Sequence, residues 1–542
     1  MNSNSTKKPN ILFLLFDHQL FYRHGWDQGP VIQRPNYDAL CARGVHFDNA
    51  YCASPLCGPA RRSMLTGVRP HRHGETRNDI EMPWQGDSYL NILNREGYQC
   101  TYYGKWHAGP GSAHEHGCEG FSYPSYNNPY TKQEYLAYLA KFQLPIPEIK
   151  VEHNFWGNAA PGDIIRQTGD WCNEHYSGIM QTPKETHEAF FLAHLACEKL
   201  KSLAGQPSEP FHLRVDFWGP HQPYFPTQEY ADLYPPEEIP VYGNFHDDLT
   251  RKPAVYMTEG NNHISKDNRL LQPNPLPWRE WQEVLSRAYA QQTLCDEAAG
   301  LILKTLCETG LDENTIVIWS ADHGDALACH GGHFDKRSYL PEEVLRIPMA
   351  MAYPGVLPEG KRSSRIVSNV DIPVTILAAA GTGFDTSVDG RNMLEAADDT
   401  IPWDNYTVCE THGHGEDVIG RALPCGRYKY ICTVGQMREL YDLEKDPYEL
   451  DNLALDMAYE ELISEMHEML LEECRRSGDT GFITAYQMIY LIYPKYPLSL
   501  ICHRKGEISW LIIRQFSLNR RINGFRKRSK NLRKFKKMHG RP

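Results

Sequence analysis

Among the fifteen cysteines of this 542-residue chain no two stand in a C-x-x-C pair, and they are scattered along its length. That excludes a zinc ribbon and indicates no disulfide framework, so reduced thiols are the simpler reading. Long apolar runs are missing too. The N-terminal one, Ile11 to Phe16, ends at Asp17 without a small-residue cleavage site, so it reads as a first strand rather than an export signal. Nothing approaches the ~20 apolar residues of a membrane helix. A cytoplasmic protein is expected, with export left open should the start site be misassigned. Acid is scarce only at the end: residues 503–542 hold fourteen Lys/Arg against Glu507 alone, so a chain of net charge −12 carries −25 outside that tail. A basic arm of this kind is read as a disordered extension rather than a dedicated nucleic-acid binder. The acidic body argues against wrapping a polyanion and for a local cationic pocket.

The chain does contain 41% hydrophobic and 11% aromatic residues, enough for a large core. Its most informative segment is LCGPARRSMLTG. Pro59 suits a first helical turn and Gly67 the position past the end, so 58–66 reads as a short helix with Cys57 at its mouth. Free N–H groups and the positive dipole end suit an anion there. Arg61 lies four residues on, on the same face. Taken alone, the segment reads equally as a buried capping cysteine with a solvated arginine pair.

Four apolar runs each stop at charged or imidazole residues. NILFLLF reaches Asp17-His18, YQCTYYG reaches Lys105-Trp106-His107, FHLRVDFWGP reaches His221, and TIVIWSA reaches Asp322-His323. Helical patterns separate them: 36–43, 88–96, a helix from a Thr182-Pro183-Lys184-Glu185 capping box to about Leu203, and 285–309. Alternating strands and helices predict an α/β fold, a mostly parallel sheet sandwiched by helices. Ligands then bind beyond the carboxyl ends of the strands, where all four clusters fall. Asp17 and Asp322 offer hard oxygens and His323 an imidazole, a set for one divalent cation. After about residue 400, short extended runs and a helix near 455–476 predict a smaller antiparallel subdomain. The expected division is 1–400, 401–502 and the tail 503–542.

Together these residues resemble the formylglycine-dependent sulfatases of the alkaline phosphatase superfamily. The resemblance runs from Pro9 to about Asn452 through RPNYDALCARGVHFDNAYCASPLCGPARRSMLTG, GKWHAG, GPHQPY, SADHGDALACHGGHFDK, RIPMAMAYPG and LYDLEKDPYELDNLA. It implies an alkaline phosphatase-like fold. It implies that Cys57 is the precursor of formylglycine (3-oxoalanine), made by a maturation enzyme, and that Arg61 holds it. Lys105 and His107 would contact nucleophile and sulfate, and Lys336 would be the second sulfate-binding lysine. His221 would protonate the leaving oxygen and His107 take the proton of the second aldehyde-hydrate hydroxyl. Asp17, His18, Cys57, Asp322 and His323 would surround the metal, Ca²⁺ first, with Mn²⁺ or Mg²⁺ as alternatives. Two departures stand out. Ala60 replaces the usual serine of CxPSR, and His18 replaces the frequent second aspartate, as Gln does in choline-sulfatase-like and phosphonate monoester hydrolase-like members. By that comparison Asn78 would be a substrate contact; its other reading is a plain loop asparagine.

The expected activity is hydrolysis of an alkyl, aryl or carbohydrate sulfate monoester. The alternatives are a phosphonate monoester or phosphodiester hydrolase with the same site, and a non-catalytic binding protein with unmodified Cys57. His71/His73 and His114/His116 read as solvent-facing loop histidines; His412/His414 read so too, or as a loop over the pocket. The aromatic segment 153–176 reads as a sugar platform or as packing.

Overall fold

The computed structural model describes residues 8–20, 32–156, 159–166, 175–205, 209–259, 265–266, 269–270, 276–414 and 417–492. The basic tail 503–542 lies outside the described residues.

Eight strands form the main sheet: β1 (Asn10–Phe16), β2 (Val45–Tyr51), β3 (Gln99–Lys105), β4 (Glu119–Tyr123), β5 (Phe211–Asp216), β6 (Thr315–Ala321), β7 (Met349–Ala352) and β8 (Lys361–Ser368). Their order is β8-β2-β7-β6-β1-β5-β3-β4. All neighbours run parallel except around β7, which is antiparallel to both β6 and β2. The central strands β1, β5 and β6 are buried at every position between two helical layers; β1 and β6 are largely apolar runs, as such strands should be, while β5 buries His212, Arg214 and Asp216 among its apolar residues. Phe16, stacked between Phe217 and Trp319 at ring separations of 4.7 Å each, closes the core beneath the strand ends.

The expected helices are present with shifted ends, at Pro35–Ala42, Tyr89–Arg95, Glu188–Ala204 and Trp278–Glu308. The capping box at Thr182 is not. The Thr182 hydroxyl bonds to that of Thr186, Lys184–Thr186 is a 3₁₀ turn, and His187 caps the helix by accepting the Ala189 N–H through Nδ1 at 3.1 Å. Pro183 holds the chain extended there, so the cap moves five residues on.

A four-stranded antiparallel sheet, Cys409–Thr411, Gly420–Cys425, Tyr428–Thr433 and Glu439–Asp442, forms the smaller unit, with helix Glu460–Ser477 packed on it. A further helix, Thr480–Ile492, was not expected from sequence. The described parts of the aromatic segment 153–176 belong to a separate three-stranded sheet, Glu148–Trp156, Ile164–Arg166 and His175–Met180, and residues 157–158 and 167–174 lie outside the described residues. Phe155 from that sheet stacks on Phe334 at 4.2 Å and on Trp281 at 5.7 Å, so this ring is packing beneath the loop that bears Lys336.

The approach of β3 to β5 depends on Gly104. Its φ is +113°, and a Cβ there would lie 2.0 Å from the Asp216 carbonyl oxygen. Gly104→Ala is expected to cost about 3 kcal/mol or more, since strain and collision act together. Gly205→Ala, whose Cβ meets only the Ser202 carbonyl oxygen at 3.5 Å, should stay within about 0.5 kcal/mol. Urea denaturation of the two variants beside the parent measures the contrast.

Candidate active site

Because β6, β1, β5 and β3 are consecutive in the sheet, their carboxyl ends deliver Asp322, Asp17, Asp216 and Lys105 to one place. Helix Cys57–Thr66 aims its first turn at the same place. It ends at Gly67, whose φ of +69° and N–H bond to the Ser63 carbonyl stop the helix as expected.

Arg61 is held by the strand ends, with Nη2 buried, 3.8 Å from Asp17 Oδ1 and without a hydrogen-bond partner. Its Nε donates to Asp322 Oδ2 at 2.9 Å, and its Nη1 donates to Asp216 Oδ2 at 2.9 Å and to the Lys105 carbonyl at 3.1 Å. Burial opposes a charge on Arg61, but Asp322, Asp17 and Asp216 outweigh it and hold the proton on. Asp216, which sequence reasoning missed, also accepts from Arg214 and from the Tyr102 hydroxyl. Its only signal was its place at the end of FHLRVD, a strand otherwise buried throughout.

One ligand-type atom from each of Asp17, Cys57, Asp322 and His323 lies within 4.8 Å of the other three. Asp17 Oδ1 is buried without a hydrogen-bond partner. Burial, then Asp322 and Cys57, push the Asp17 carboxyl well up. For Asp322 burial pushes the same way, but His323 and Arg61 outweigh it and hold the group down. His323 Nδ1 lies 2.8 Å from the Gly324 carbonyl, which can only accept, so Nδ1 carries a proton and Nε2 faces Cys57 Sγ at 3.1 Å. Burial opposes a charge on this ring, but Asp322 and Cys57 outweigh it and raise its proton affinity. Two carboxylates, one of them orphaned, and an imidazole with Nε2 turned toward them fit a divalent cation, which would take the place of a proton there.

His18 is outside this group. Its backbone N–H donates to Asp322 Oδ1 at 2.9 Å. The ring lies between those of His221 and His323, 4.8 Å from each, with Nε2 3.3 Å from Asp325 and 3.6 Å from Asp335. These two aspartates were also missed; Asp335 is detectable only as the neighbour of Lys336. Asn78 is engaged by the helix mouth, its Oδ1 accepting the Gly58 N–H at 2.9 Å.

Lysines line the other side. Lys105 pairs with Asp17 and lies over the Tyr126 ring at 4.1 Å. Lys336 pairs with Asp335 at 3.3 Å and meets His221 Nε2 at 3.1 Å. Burial works against the Lys336 charge, but Asp335 and Cys57 raise its affinity for the proton. For Cys57 burial pushes upward, and Lys105, Lys336 and His323 together pull it well below the ordinary thiol range. His221 Nδ1 lies 2.6 Å from the Gln222 carbonyl, so Nε2 is the acceptor of the Lys336 ammonium. Burial and then Lys336 keep this imidazole neutral.

His107 Nε2 faces Asp79 Oδ1 at 3.1 Å, so Nε2 carries a proton and Nδ1 is turned away from Asp79. Three non-glycine residues with left-handed backbone converge on this ring: Asp79 (φ +58°), His107 (+42°) and Ser125 (+63°), whose carbonyl accepts the His107 N–H at 3.2 Å. Strain of this kind persists where the surroundings fix a functional side chain.

Of the paired histidines, His73 and His116 are buried, against expectation. His73 bonds to Ser63 Oγ at 3.0 Å, and His116 bonds to Ser88 Oγ at 3.0 Å and packs on Trp84. His71 and His412 both hold Glu410. The His414 N–H donates to Ser338 Oγ at 2.8 Å, two residues from Lys336.

A model of the family described as Sulfatase matches residues 9–382. The chain belongs to the sulfatase family. A second model, of the C-terminal region of N-sulphoglucosamine sulphohydrolase, matches residues 329–476. An ulvan-active sulfatase of Formosa agariphila is 26% identical, with 87% of this chain and 82% of that protein covered. An arylsulfatase of Clostridium perfringens is 27% identical (92% and 99% covered) and a choline-sulfatase of Rhizobium meliloti 28% (83% and 83%). Among solved structures, a protein in complex with its substrate D-glucosamine-2-N,6-O-disulfate superposes with a TM-score of 0.66 at 21% identity, covering 87% of this chain and 99% of its own. The phosphonate monoester hydrolase of Agrobacterium radiobacter superposes with 0.68 at 21%, covering 86% and 96%. This sulfatase thus has the alkaline phosphatase-like fold of its structural neighbours and is a sulfuric ester hydrolase by family.

A buried glutamate backs the His221 loop of the sulfatase. Glu188 Oε1 accepts the Gly219 N–H at 2.8 Å, and Oε2 has no hydrogen-bond partner. Burial pushes this carboxyl up to about 7. Unfolded glutamate titrates near ~4.3, so between these values the folded state holds the extra proton and stability falls as pH rises. Glu188→Gln should remove a loss on the order of 2 kcal/mol between pH 5 and pH 8. Denaturant midpoints of parent and variant at the two pH values provide the check.

Proposed function

We propose that this sulfatase hydrolyses a sulfate monoester at position 57, with Cys57 converted to formylglycine and a divalent cation held by Asp17, Asp322 and His323. The observation that carries the reading is the convergence of those three ligands and two buried lysines on the first residue of one helix. The cation, Ca²⁺ before Mn²⁺ or Mg²⁺, would supply Lewis-acid charge and make a hydroxyl at position 57 acidic. The aldehyde hydrate would supply that hydroxyl and an exit by C–O cleavage that a serine lacks.

The remaining work belongs to fixed side chains. Lys105 and Lys336, buried at 0% and 3% exposure, hold sulfate oxygens where water does not screen them. Lys336 holds the proton nearest His221 Nε2, and the pair delivers it to the leaving oxygen. His107, with its Nε2 proton on Asp79, accepts at Nδ1. Arg61 keeps Asp322 ionised and oriented.

A sulfate monoester is singly charged and tetrahedral, and Lys105 and Lys336 offer its oxygens two buried cations. A phosphonate monoester also carries one charge, and the likeness to phosphonate monoester hydrolases keeps that second reading in view. The sulfated sugar of the structural neighbour and the ulvan-active relative support a carbohydrate sulfate as the ester.

Peptide mass spectrometry over Cys57 tests the conversion, which lowers the mass by ~18 Da. Unmodified cysteine in active enzyme overturns the reading. Nitrophenyl sulfate should turn over faster than a phenyl phosphonate ester, and the reverse order selects the second reading. Chelation should abolish turnover and added Ca²⁺ restore it. Asp79→Ala should lower kcat on nitrophenyl sulfate by about 10²-fold with little change in KM, since it removes only the orientation of a proton acceptor.

A further inference from the structure

The loop that carries Lys105 and His107 begins and ends at a cysteine. Strands β3 and β4 pair in parallel with Thr101 opposite Glu119, so Cys100 and Cys118 are the neighbouring pair just before that register. Side chains in register on adjacent strands share a face, and their Cα atoms fall in the range a disulfide spans. Both are free thiols, each 5% exposed and part of the same buried cluster. Each acts on the other: the neighbouring Cys118 thiol lowers the proton affinity of Cys100, and Cys100 together with burial raises that of Cys118. On the other side of Cys100, in register on β5, stands His212, which acts in the same direction.

The backbone around Cys118 is fixed as well. Its N–H donates to the Ala113 carbonyl at 3.1 Å, and its carbonyl faces His114 Nδ1 at 3.1 Å. Gly117, at φ +80°, closes the preceding 3₁₀ turn. The two thiols are therefore held together by the sheet and by the turn, and β4, an edge strand with Glu119 and Gly120 exposed, leaves them a short path from solvent. No step of the sulfatase reaction uses either thiol.

We propose that Cys100 and Cys118 are a dithiol that oxidises reversibly to a disulfide, stapling the base of the loop that presents Lys105 and His107. With hydrogen peroxide as oxidant, the Cys100 thiolate attacks one peroxide oxygen, the O–O bond breaks, and hydroxide leaves. The resulting sulfenic acid is then displaced by the Cys118 sulfur, which forms the S–S bond and releases the second oxygen as water. Two thiols and one peroxide give one disulfide and two waters. Closing residues 101–117 into a ring constrains the unfolded chain most strongly around the segment that holds the sulfate-contacting lysine.

The full-length enzyme, treated with a small molar excess of hydrogen peroxide and then alkylated under denaturing conditions, gives the test. The expected product is a cross-linked peptide pair containing Cys100 and Cys118, lighter by ~2 Da than the two thiol peptides, reversed by dithiothreitol and absent from Cys118→Ser. In that variant Cys100 should instead go on to the sulfinic acid. Oxidised parent should melt about 3 °C above its reduced form, with no such rise for the variant. Recovery of both cysteines alkylated, or of Cys100 sulfinic acid in the parent, overturns the proposal. Peptides bearing Cys57 and the exposed Cys307 are followed separately, so their oxidation is not confused with the pair.

Discussion

Everything at this site rests on one buried guanidinium. Four parallel strands end side by side, and three of them end in carboxylates that a dry interior would otherwise force to take up protons. Arg61 comes up from the nucleophile helix and ties Asp322 to Asp216 and to the Lys105 carbonyl, which is to say three strands to one helix. The same contacts set the orientation of Cys57, because residues 57 and 61 lie on one face of that helix. Removing Arg61 would leave Asp322 buried without its guanidinium partner, while Asp216 would keep Arg214 and Tyr102, and a buried charge stripped of its partner costs far more than a surface pair. The arginine is therefore as much a condition of the fold as of the chemistry.

A second regularity follows from the first. Each histidine proposed to act has one ring nitrogen held by a group that can only accept: Gly324 carbonyl for His323, Gln222 carbonyl for His221, Asp79 for His107. Each ring is thereby oriented with one nitrogen protonated outward and the other turned toward the site. Of the three, His221 is held neutral by burial and by Lys336. His221 Nε2 accepts from the Lys336 ammonium at 3.1 Å, so the proton proposed for the leaving oxygen lies between these two side chains.

The parts of this arrangement legible in the sequence were those tied to chain direction. Apolar runs ending in Asp17, Lys105 and Asp322 mark strand ends, and a parallel sheet gathers strand ends on one edge. The Pro59 and Gly67 punctuation marked the helix, which spans Cys57–Thr66. What escaped were partners supplied across the fold. Asp216 looked like one more residue in a buried strand, Asp79 like a loop acid beside Asn78, and Asp325 and Asp335 acquire meaning only because His18 turns toward them. The Thr182 box failed because Pro183 and a 3₁₀ turn intervene before the helix. His73 and His116 read as loop histidines because spacing carries no information on burial, which neighbours from Ser63, Ser88 and Trp84 decide.

Backbone strain links these observations to specificity. His18, Asp79, His107, Ser125, Asp335 and Arg337 all adopt left-handed conformations without being glycine, each at a cost of order 1–3 kcal/mol. They are residues at the mouth of the site or one step behind it, never in the strands beneath. A sheet whose central strands are wholly buried can support such a rim because its own stability does not depend on it. The rim then holds charges and lone pairs where a flexible loop would let water relax them. Preorganisation of that kind acts on the charge and tetrahedral shape of the anion, which a sulfate and a phosphonate ester share. Discrimination between esters therefore has to come from what surrounds the leaving group, where Tyr126 stands 5.6 Å from His221 and beside Lys105.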